Sequence, residues 1–171
     1  HPKMVGDVAT GVFLVWEDHR AGLQEKDIYG QHFDLSGTRN WRHSGMPIST
    51  SPSFQQNISV ATDENHDLFM VWEDFRNGLY WNLFAQKIDR AGNFKWGNSG
   101  LDIFSGVEEN HQQPHIVPDG LGGLLFVYQK YSDLTDGTDI YRGRLDKDGQ
   151  LLFHFATCFS QNEQLNPRIV R

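Results

Sequence analysis

Residues 15–20 read Val15-Trp16-Glu17-Asp18-His19-Arg20, and the same phrase returns as Val71-Trp72-Glu73-Asp74-Phe75-Arg76. A weaker third copy reads Val127-Tyr128-Gln129-Lys130, and each step along the chain is 56 residues. A constant period of this length is typical of repeat proteins, in which each unit buries its apolar surface against its neighbours. The repeat therefore predicts the architecture before any single residue predicts an activity.

Each copy contains short segments of strand-forming residues that are separated by turns rich in Gly, Asn and Asp. One segment is an apolar run, Val12-Phe13-Leu14-Val15-Trp16 or Leu68-Phe69-Met70-Val71-Trp72, which predicts a strand buried on both faces. The segments are too short for the three- and four-residue apolar spacing of a helical repeat. Four hairpin-linked strands within one period are typical of the blade of a β-propeller.

The sequence thus predicts an all-β propeller fold with three four-stranded antiparallel blades, over residues 1–57, 58–113 and 114–166. A further opening segment, Asn166-Pro167-Arg168-Ile169-Val170, predicts the first strand of another blade over 167–171. Because three blades leave a sheet face and strand edges uncovered, we expect a larger ring of about six to eight blades. Either a longer parent chain, which the initial His1 favours, or a second copy would complete the ring.

Composition limits the class of partner. The chain has 171 residues and a formal net charge of −7, and its Lys and Arg residues are scattered, so we expect no nucleic-acid partner. No apolar stretch is long enough to span a bilayer. The single cysteine, Cys158, excludes an intrachain disulfide and is expected to be a buried core residue.

The motif string Trp-Glu-Asp-x-Arg, Asp-Ile-Tyr-x-Gln and Asp-x-x-Gly-x-x-x-Trp resembles tandem propeller repeats of large secreted and cell-surface proteins of bacteria. The turns from Asp34 to Trp41 and from Asp89 to Trp96 also resemble the Asp-box hairpins of sialidase-type propellers, although Asp34 precedes Gly37 by three residues and not two. The resemblance implies an extracellular or cell-surface location in bacteria and a scaffold that presents loops to a protein or a glycan.

Residues that recur in the copies are expected to be structural, because catalysis needs its groups once and architecture needs them in every unit. We interpret the Asp and Arg of the motif as an ion pair or a turn cap that holds each blade against its neighbour, and the aromatic residues as inter-blade core. This structural set comprises Trp16, Asp18, Arg20, Trp72, Asp74, Arg76, Tyr128, Trp41 and Trp96.

Function is more often carried by loop residues that break a repeat than by those that form it. Tyr80 and Trp81 lie in the loop of the second copy and have no counterpart in the first. Together with the adjacent Arg76 and Asn77 they are the predicted ligand-binding residues.

An insertion in the third copy, residues 133–139, offers three carboxylates around a glycine. Since Ca²⁺ takes about six to eight oxygen ligands, Asp133, Asp136 and Asp139 are a candidate calcium site. No other cofactor is expected.

The sequence contains neither a nucleophile motif nor a helical pair of metal-binding histidines. The leading hypothesis is therefore a non-enzymatic extracellular module that binds protein or glycan. One alternative is part of a sialidase-like glycoside hydrolase or lyase whose active site is completed by other blades. The other alternative is a structural subunit of a surface assembly.

Overall fold

A computed structural model describes residues 1–7, 11–23, 25–132, 136–158 and 160–170. Within these ranges the chain forms three antiparallel four-stranded sheets and no α-helix, which confirms the predicted all-β fold with three four-stranded blades. Blade 1 contains β1 (Lys3–Asp7), β2 (Gly11–Asp18), β3 (Asp27–Asp34) and β4 (Met46–Ser49). Blade 2 contains β5 (Gln55–Thr62), β6 (Leu68–Asp74), β7 (Asn82–Ile88) and β8 (Leu101–Asp102). Blade 3 contains β9 (His111–Pro118), β10 (Leu124–Ser132), β11 (Gly137–Leu145) and β12 (Leu151–Cys158).

The strands of each blade lie in sequence order, so every connection within a blade joins neighbouring antiparallel strands. The first strands share one side of the molecule, because β5 contacts both β1 and β9. At one end of the sheets lie the last residues of β2, β6 and β10 and the first residues of β3, β7 and β11, together with the connections that lead into β5 and β9. We call this end the upper rim.

Burial differs between the blades. Every residue of β6 is buried, as predicted for an apolar run with two covered faces. In β2, by contrast, Phe13 and Val15 are buried while Leu14 and Trp16 are partly exposed, so the prediction of burial on both faces is wrong for this strand. The reason is that, among the described residues, blade 1 has a neighbouring blade on one face and blade 2 has one on each face.

A glycine accompanies the motif tryptophan in blades 1 and 2. The Trp72 indole N–H donates to Asp74 at 2.9 Å, and its ring lies against Gly100. Gly100 has a left-handed φ of 84°, and a Cβ built on it would lie 2.5 Å from the Trp72 ring. A Cβ built on Gly45 would clash in the same way, because it would lie 2.6 Å from the Trp16 ring. The repeated glycine is thus required by the repeated tryptophan.

The third residue of the motif connects successive blades, a role that the sequence analysis missed. Its side chain accepts a hydrogen bond from a backbone N–H of the next segment along the chain. This segment is β5 after blade 1, β9 after blade 2 and residues 160–170 after blade 3. The pairs are Glu17 with Asn57 (3.0 Å), Glu73 with Gln113 (2.8 Å) and Gln129 with Asn166 (3.4 Å). All three donor residues have left-handed backbones, with φ of 53°, 53° and 56°. This local bulge turns the N–H away from its own ladder and towards the preceding blade.

Residues 160–170 form no strand, so the first strand of a further blade, predicted at 167–171, is not paired into a sheet in the part that the structure describes. The backbone nevertheless takes the course of a first strand at its beginning. Gln164 N donates to Thr138 O at 2.6 Å. In the same way His111 N, at the start of β9, donates to Trp81 O in the loop of blade 2 at 2.7 Å. The number of blades in the ring and the domain boundaries stay predictions.

A second repeated contact, between an acidic and a basic side chain, lies at the opposite end of the sheets from the upper rim. The Asp that ends each first strand or begins the turn after it contacts a basic side chain on the third strand. The pairs are Asp7 with His32 (2.9 Å), Asp63 with Lys87 (3.0 Å) and Asp119 with Arg144 (2.9 Å). The position of the base is constant while its chemical type changes, which is why a comparison of residue types does not reveal the pair.

Cys158 is exposed, so the expectation that it is a buried core residue is wrong. It ends β12, an outer strand of blade 3 whose residues are mostly exposed. In the ranges that the structure covers, no helix is long and apolar enough to cross a membrane.

Candidate functional site

The Asp and Arg of the motif form an ion pair in blade 2. Arg76 Nε and Nη2 donate to the two oxygens of Asp74 at 2.8 and 2.6 Å, and Nη2 also reaches the carbonyl of Ser99 at 3.1 Å. The guanidinium lies over the ring of Phe84, 3.7 Å from its centre. A contact of 3.3 Å to Ser49 links it to blade 1. The pair therefore mainly fastens the end of β6 to the loop before β8, within one blade.

Blade 1 repeats this arrangement. Arg20 donates to both oxygens of Asp18, at 2.9 and 2.6 Å, reaches the carbonyl of Ser44 at 3.0 Å and lies over Tyr29. Hydrogen bonds from Arg20 hold the pKa of Asp18 well below its usual range. We predicted an ion pair that holds neighbouring blades together; that prediction is wrong for blade 1, because all these contacts stay within the blade.

The aromatic positions outside the motif do connect blades. The Trp41 indole N–H donates to the carbonyl of Arg90 in blade 2 at 2.9 Å, and the Trp96 indole donates to Lys147 in blade 3 at 3.2 Å. Tyr128, which takes the place of the motif tryptophan in the third copy, is fully buried in the cluster between blades 2 and 3. These residues are therefore core, and their rings are not platforms for a ligand.

A cavity at the upper rim of blade 2 contains Tyr80, one of the residues that break the repeat. It has a volume of about 400 Å³ and lies between the β6–β7 loop and the connection from β8 to blade 3. Arg76, Asn77 and Tyr80, three of the four predicted ligand residues, line it together with Asn82 and Asp102. We call this the blade 2 cavity; the ligand role of its residues stays a prediction.

Trp81 is not among the residues that line the blade 2 cavity. Its ring packs on Phe75, with 4.9 Å between ring centres, and its backbone N–H donates to Asn110 Oδ1 at 3.0 Å. Its carbonyl accepts from His111 at the start of β9. Trp81 thus fills the space between blades 2 and 3 and has a structural role that its position in a loop concealed.

Two of the cavity residues shape the loop and a third presents a ring. Asn77 Oδ1 accepts from the backbone N–H groups of Leu79 and Tyr80, at 2.9 and 3.0 Å, which closes a tight turn. Arg76 is held by its ion pair. This turn places Tyr80 on the cavity wall and leaves Leu79 exposed beside it.

The polar centre of the cavity was missed by sequence analysis. Asn82 is 7% exposed, and its side-chain amide lies close enough to Asp102 to lower the pKa of that carboxyl. Asn82 Oδ1 has no hydrogen-bond partner among the described residues. Burial raises the pKa of Asp102, against the hydrogen bond from Phe104 N and the nearby charge of Arg76. The cavity therefore offers two acceptors, an amide oxygen and a partly buried carboxylate.

Both acceptors depart from the repeat, which is a signal that could have found them. Asn82 begins β7, where the third strands of the other blades begin on or near Asp27 and Asp139. Asp102 is paired with the third strand of its blade where blade 1 has Pro47. The exchange of Asp for Asn at position 82 is conservative, and Asp102 lies in the two-residue strand β8. Neither departure is therefore conspicuous when the copies are compared.

The structure describes two of the three candidate calcium residues, Asp136 and Asp139. Asp133 lies outside the described residues. Asp136 is exposed and accepts from the Tyr131 hydroxyl at 3.2 Å, whereas Asp139 is buried. In the described ranges no group of three His, Cys, Asp or Glu side chains could hold a metal ion. The calcium site stays a prediction.

No protein-family model and no curated protein matches this chain. Solved structures are similar to it in fold. An α-L-arabinofuranosidase from Fusarium graminearum, in complex with an iminosugar inhibitor, has a TM-score of 0.62 and 12% identity over 91% of this chain and 49% of its own. An endo-arabinase from Bacteroides thetaiotaomicron has a TM-score of 0.53 and 12% identity, over 89% of this chain and 61% of its own.

A glycosyl hydrolase from Bacteroides ovatus is also similar, with a TM-score of 0.51 and 10% identity over 90% of this chain and 50% of its own. The chain thus spans roughly half to three fifths of the length of these proteins. At this identity the similarity shows the fold alone, and the three blades are part of a β-propeller.

Proposed function

We propose that this chain is part of a β-propeller that acts on glycans, and that the blade 2 cavity holds one sugar unit. The observation that carries the proposal is the pairing of Asn82 Oδ1, which has no partner in the described chain, with the Asp102 carboxylate in one non-repeating cavity. A sugar presents hydroxyl donors beside apolar C–H groups. Its hydroxyls would satisfy both acceptors while its C–H groups contact Tyr80 and Leu79.

The reaction that we propose for the whole propeller is glycoside hydrolysis. Support comes from the glycosidase activities named for the solved structures of the same fold. Most glycosidases use two carboxyl groups about 5 to 10 Å apart. Three carboxyl groups line the blade 2 cavity, those of Asp74, Asp102 and Glu108. Both oxygens of Asp74 are engaged by Trp72 and Arg76, so Asp102 and Glu108 are the carboxyl groups outside the motif ion pair. We propose that blades outside this chain complete the active site around them.

A glycan-binding module without catalysis is the second candidate. Its support is that the distinctive residues of the motif recur and are used for architecture, so the motif itself contributes no group to catalysis. For either function we propose that the protein lies outside the cell or at its surface, where it would contact glycans.

Binding of neutral oligosaccharides to the full chain, measured by isothermal titration calorimetry, tests the proposal. Arabino-oligosaccharides are the first probes. Asp102→Asn should weaken binding by about tenfold or more, since a hydrogen bond to a charged group contributes about 1.5 to 3 kcal/mol. Asn82→Asp should weaken it similarly, because it places a second carboxylate beside Asp102.

The matched control is Asp27→Asn, which makes the reverse exchange at the equivalent position of blade 1 and should leave the affinity unchanged. Wild-type chain that binds no glycan, or two cavity variants that bind as wild type does, would contradict the proposal. Release of reducing ends by the complete propeller, which includes the blades outside this chain, separates hydrolysis from binding alone.

A further inference from the structure

A second cavity on the upper rim has a different chemistry. This groove of about 470 Å³ lies between blade 3 and the segment 160–170, and none of the residues that line it carries a charge. Five of them are side-chain amides: Asn110, Gln112, Gln113, Gln129 and Asn166. The volume is within the usual range for a small-molecule site. We call it the amide groove.

The amide groove exists because Thr138 stands where blade 2 has Trp81. The two residues are equivalent, since the carbonyl of each accepts a hydrogen bond from a backbone N–H of the segment that follows its own blade. His111 N donates to Trp81 O at 2.7 Å, and Gln164 N donates to Thr138 O at 2.6 Å. A threonine side chain occupies much less volume than an indole ring, so the space that is filled in blade 2 is open in blade 3.

The same exchange exposes an aromatic ring. In blade 2 the Trp81 ring covers Phe75 at 4.9 Å. Tyr131 holds the position of Phe75, 56 residues further along, and is 52% exposed. Its hydroxyl donates to Asp136, which holds the side chain at the groove. The groove therefore has an apolar ring surface beside its amides.

The amides suit hydroxyl groups. Gln113 and Asn166 use their backbone N–H groups to bind Glu73 and Gln129, and their side-chain amides make no hydrogen bond with the described residues. Each amide has both a donor and an acceptor, as each sugar hydroxyl does, so the two can pair in either sense. A lining without charge offers a charged ligand hydrogen bonds but no opposite charge, so it suits a neutral ligand better than a charged one.

We infer that the amide groove is a second sugar subsite, and that the glycans bound at the upper rim are uncharged oligosaccharides and not sialic or uronic acids. The inference rests on the proposed function and names its substrate class. The Tyr131 ring contacts the apolar face of the sugar, and the amides of Gln113, Asn166 and Asn110 bind its hydroxyls.

Thr138→Trp tests the subsite, because it closes the groove with a side chain that blade 2 accommodates at the same place. Its affinity for a neutral oligosaccharide should fall by about tenfold or more, while its thermal unfolding midpoint stays that of wild type. The matched control, Thr138→Ser, leaves the groove open and should bind as wild type does. Gln113→Ala, an exposed position, provides a second variant and should weaken binding about three- to tenfold.

The outcomes separate the two sites. Loss of affinity in Asn82→Asp with full affinity in both Thr138→Trp and Gln113→Ala overturns the subsite and leaves the blade 2 cavity in place. The reverse pattern overturns the blade 2 cavity and supports the groove. Wild-type chain that binds a sialylated or uronic oligosaccharide as tightly as the neutral one overturns the substrate class, and wild-type chain that binds no glycan overturns both sites.

Discussion

Blades 1 and 2 contain the same phrase of sequence in different surroundings. In blade 2 every residue of β6 and β7 is buried, whereas in β2 of blade 1 buried and half-exposed residues alternate. Trp72 is fully buried, but Trp16 is partly exposed although its hydrogen bond and its glycine neighbour are the same. The comparison teaches that the contribution of the motif to stability comes from the blades stacked against it.

The largest effect should come from truncating the motif tryptophan in each blade. Trp72→Ala should lower the free energy of unfolding by about 3 to 5 kcal/mol, because it leaves a large cavity between two blades. Trp16→Ala should cost less by at least about 1 kcal/mol, since part of that ring already meets water. Urea unfolding of the two variants measures the difference. Equal losses would show that the motif stabilises each blade on its own.

The second comparison is between the first strands of blades 2 and 3. Gln55 begins β5, and the equivalent His111 begins β9, where it is 1% exposed and stacks on Phe104 at 4.1 Å. Burial lowers the pKa of His111 from 6.5 to about 4. The unfolded chain therefore binds a proton between these values that the folded chain excludes.

This stabilisation is complete above pH 6.5 and is lost as the pH falls towards 4, a difference of about 3 kcal/mol. His111→Gln, which copies the residue of blade 2, should remove it. Unfolding free energies of wild type and variant should therefore converge or cross as the pH is lowered from 7 to 4, because the variant lacks this loss. Parallel pH profiles would mean that His111 titrates alike in the folded and unfolded chains.

The smallest of the three effects concerns the motif arginine. The Asp74 side chain is fully buried and the Arg76 side chain is 23% exposed, whereas the Asp18 and Arg20 side chains are 12% and 39% exposed. Arg76→Ala should cost about 2 kcal/mol, since it leaves a buried carboxylate without its charged donor. Arg20→Ala should cost less than about 1 kcal/mol, because water can replace the guanidinium. Thermal and urea unfolding would detect a reversal of this order, which would argue against burial as the cause.

The repeat made much of the fold predictable. Strand-forming segments and turn residues act locally, so three copies of the same pattern were sufficient to predict three four-stranded blades. The inter-blade roles of Trp41 and Trp96 followed from their constant positions. The departure of Tyr80 from the repeat led to the blade 2 cavity, together with the adjacent Arg76 and Asn77.

The partners of these residues were not predictable in the same way. Glu17 bonds a backbone N–H 40 residues away, and no residue type identifies a backbone donor. Asn82 and Asp102 are separated along the chain and meet because β7 and β8 run side by side. Trp81 broke the repeat as Tyr80 did, yet its ring turned into the space between blades. Whether the ring of Tyr80 or Trp81 packs between blades or lines the cavity depends on the space that blade 3 leaves beside the β6–β7 loop.

By itself the sequence determined where strands and turns lie and which residues recur, because hairpins and alternating side chains depend on neighbours along the chain. Only the tertiary structure decided which strand faces are buried, which glutamate connects two blades, and which loops enclose a cavity. The physical reason is that burial depends on the surface stacked against a strand. Two copies of the same motif can therefore be partly exposed to solvent in one blade and fully buried in the next.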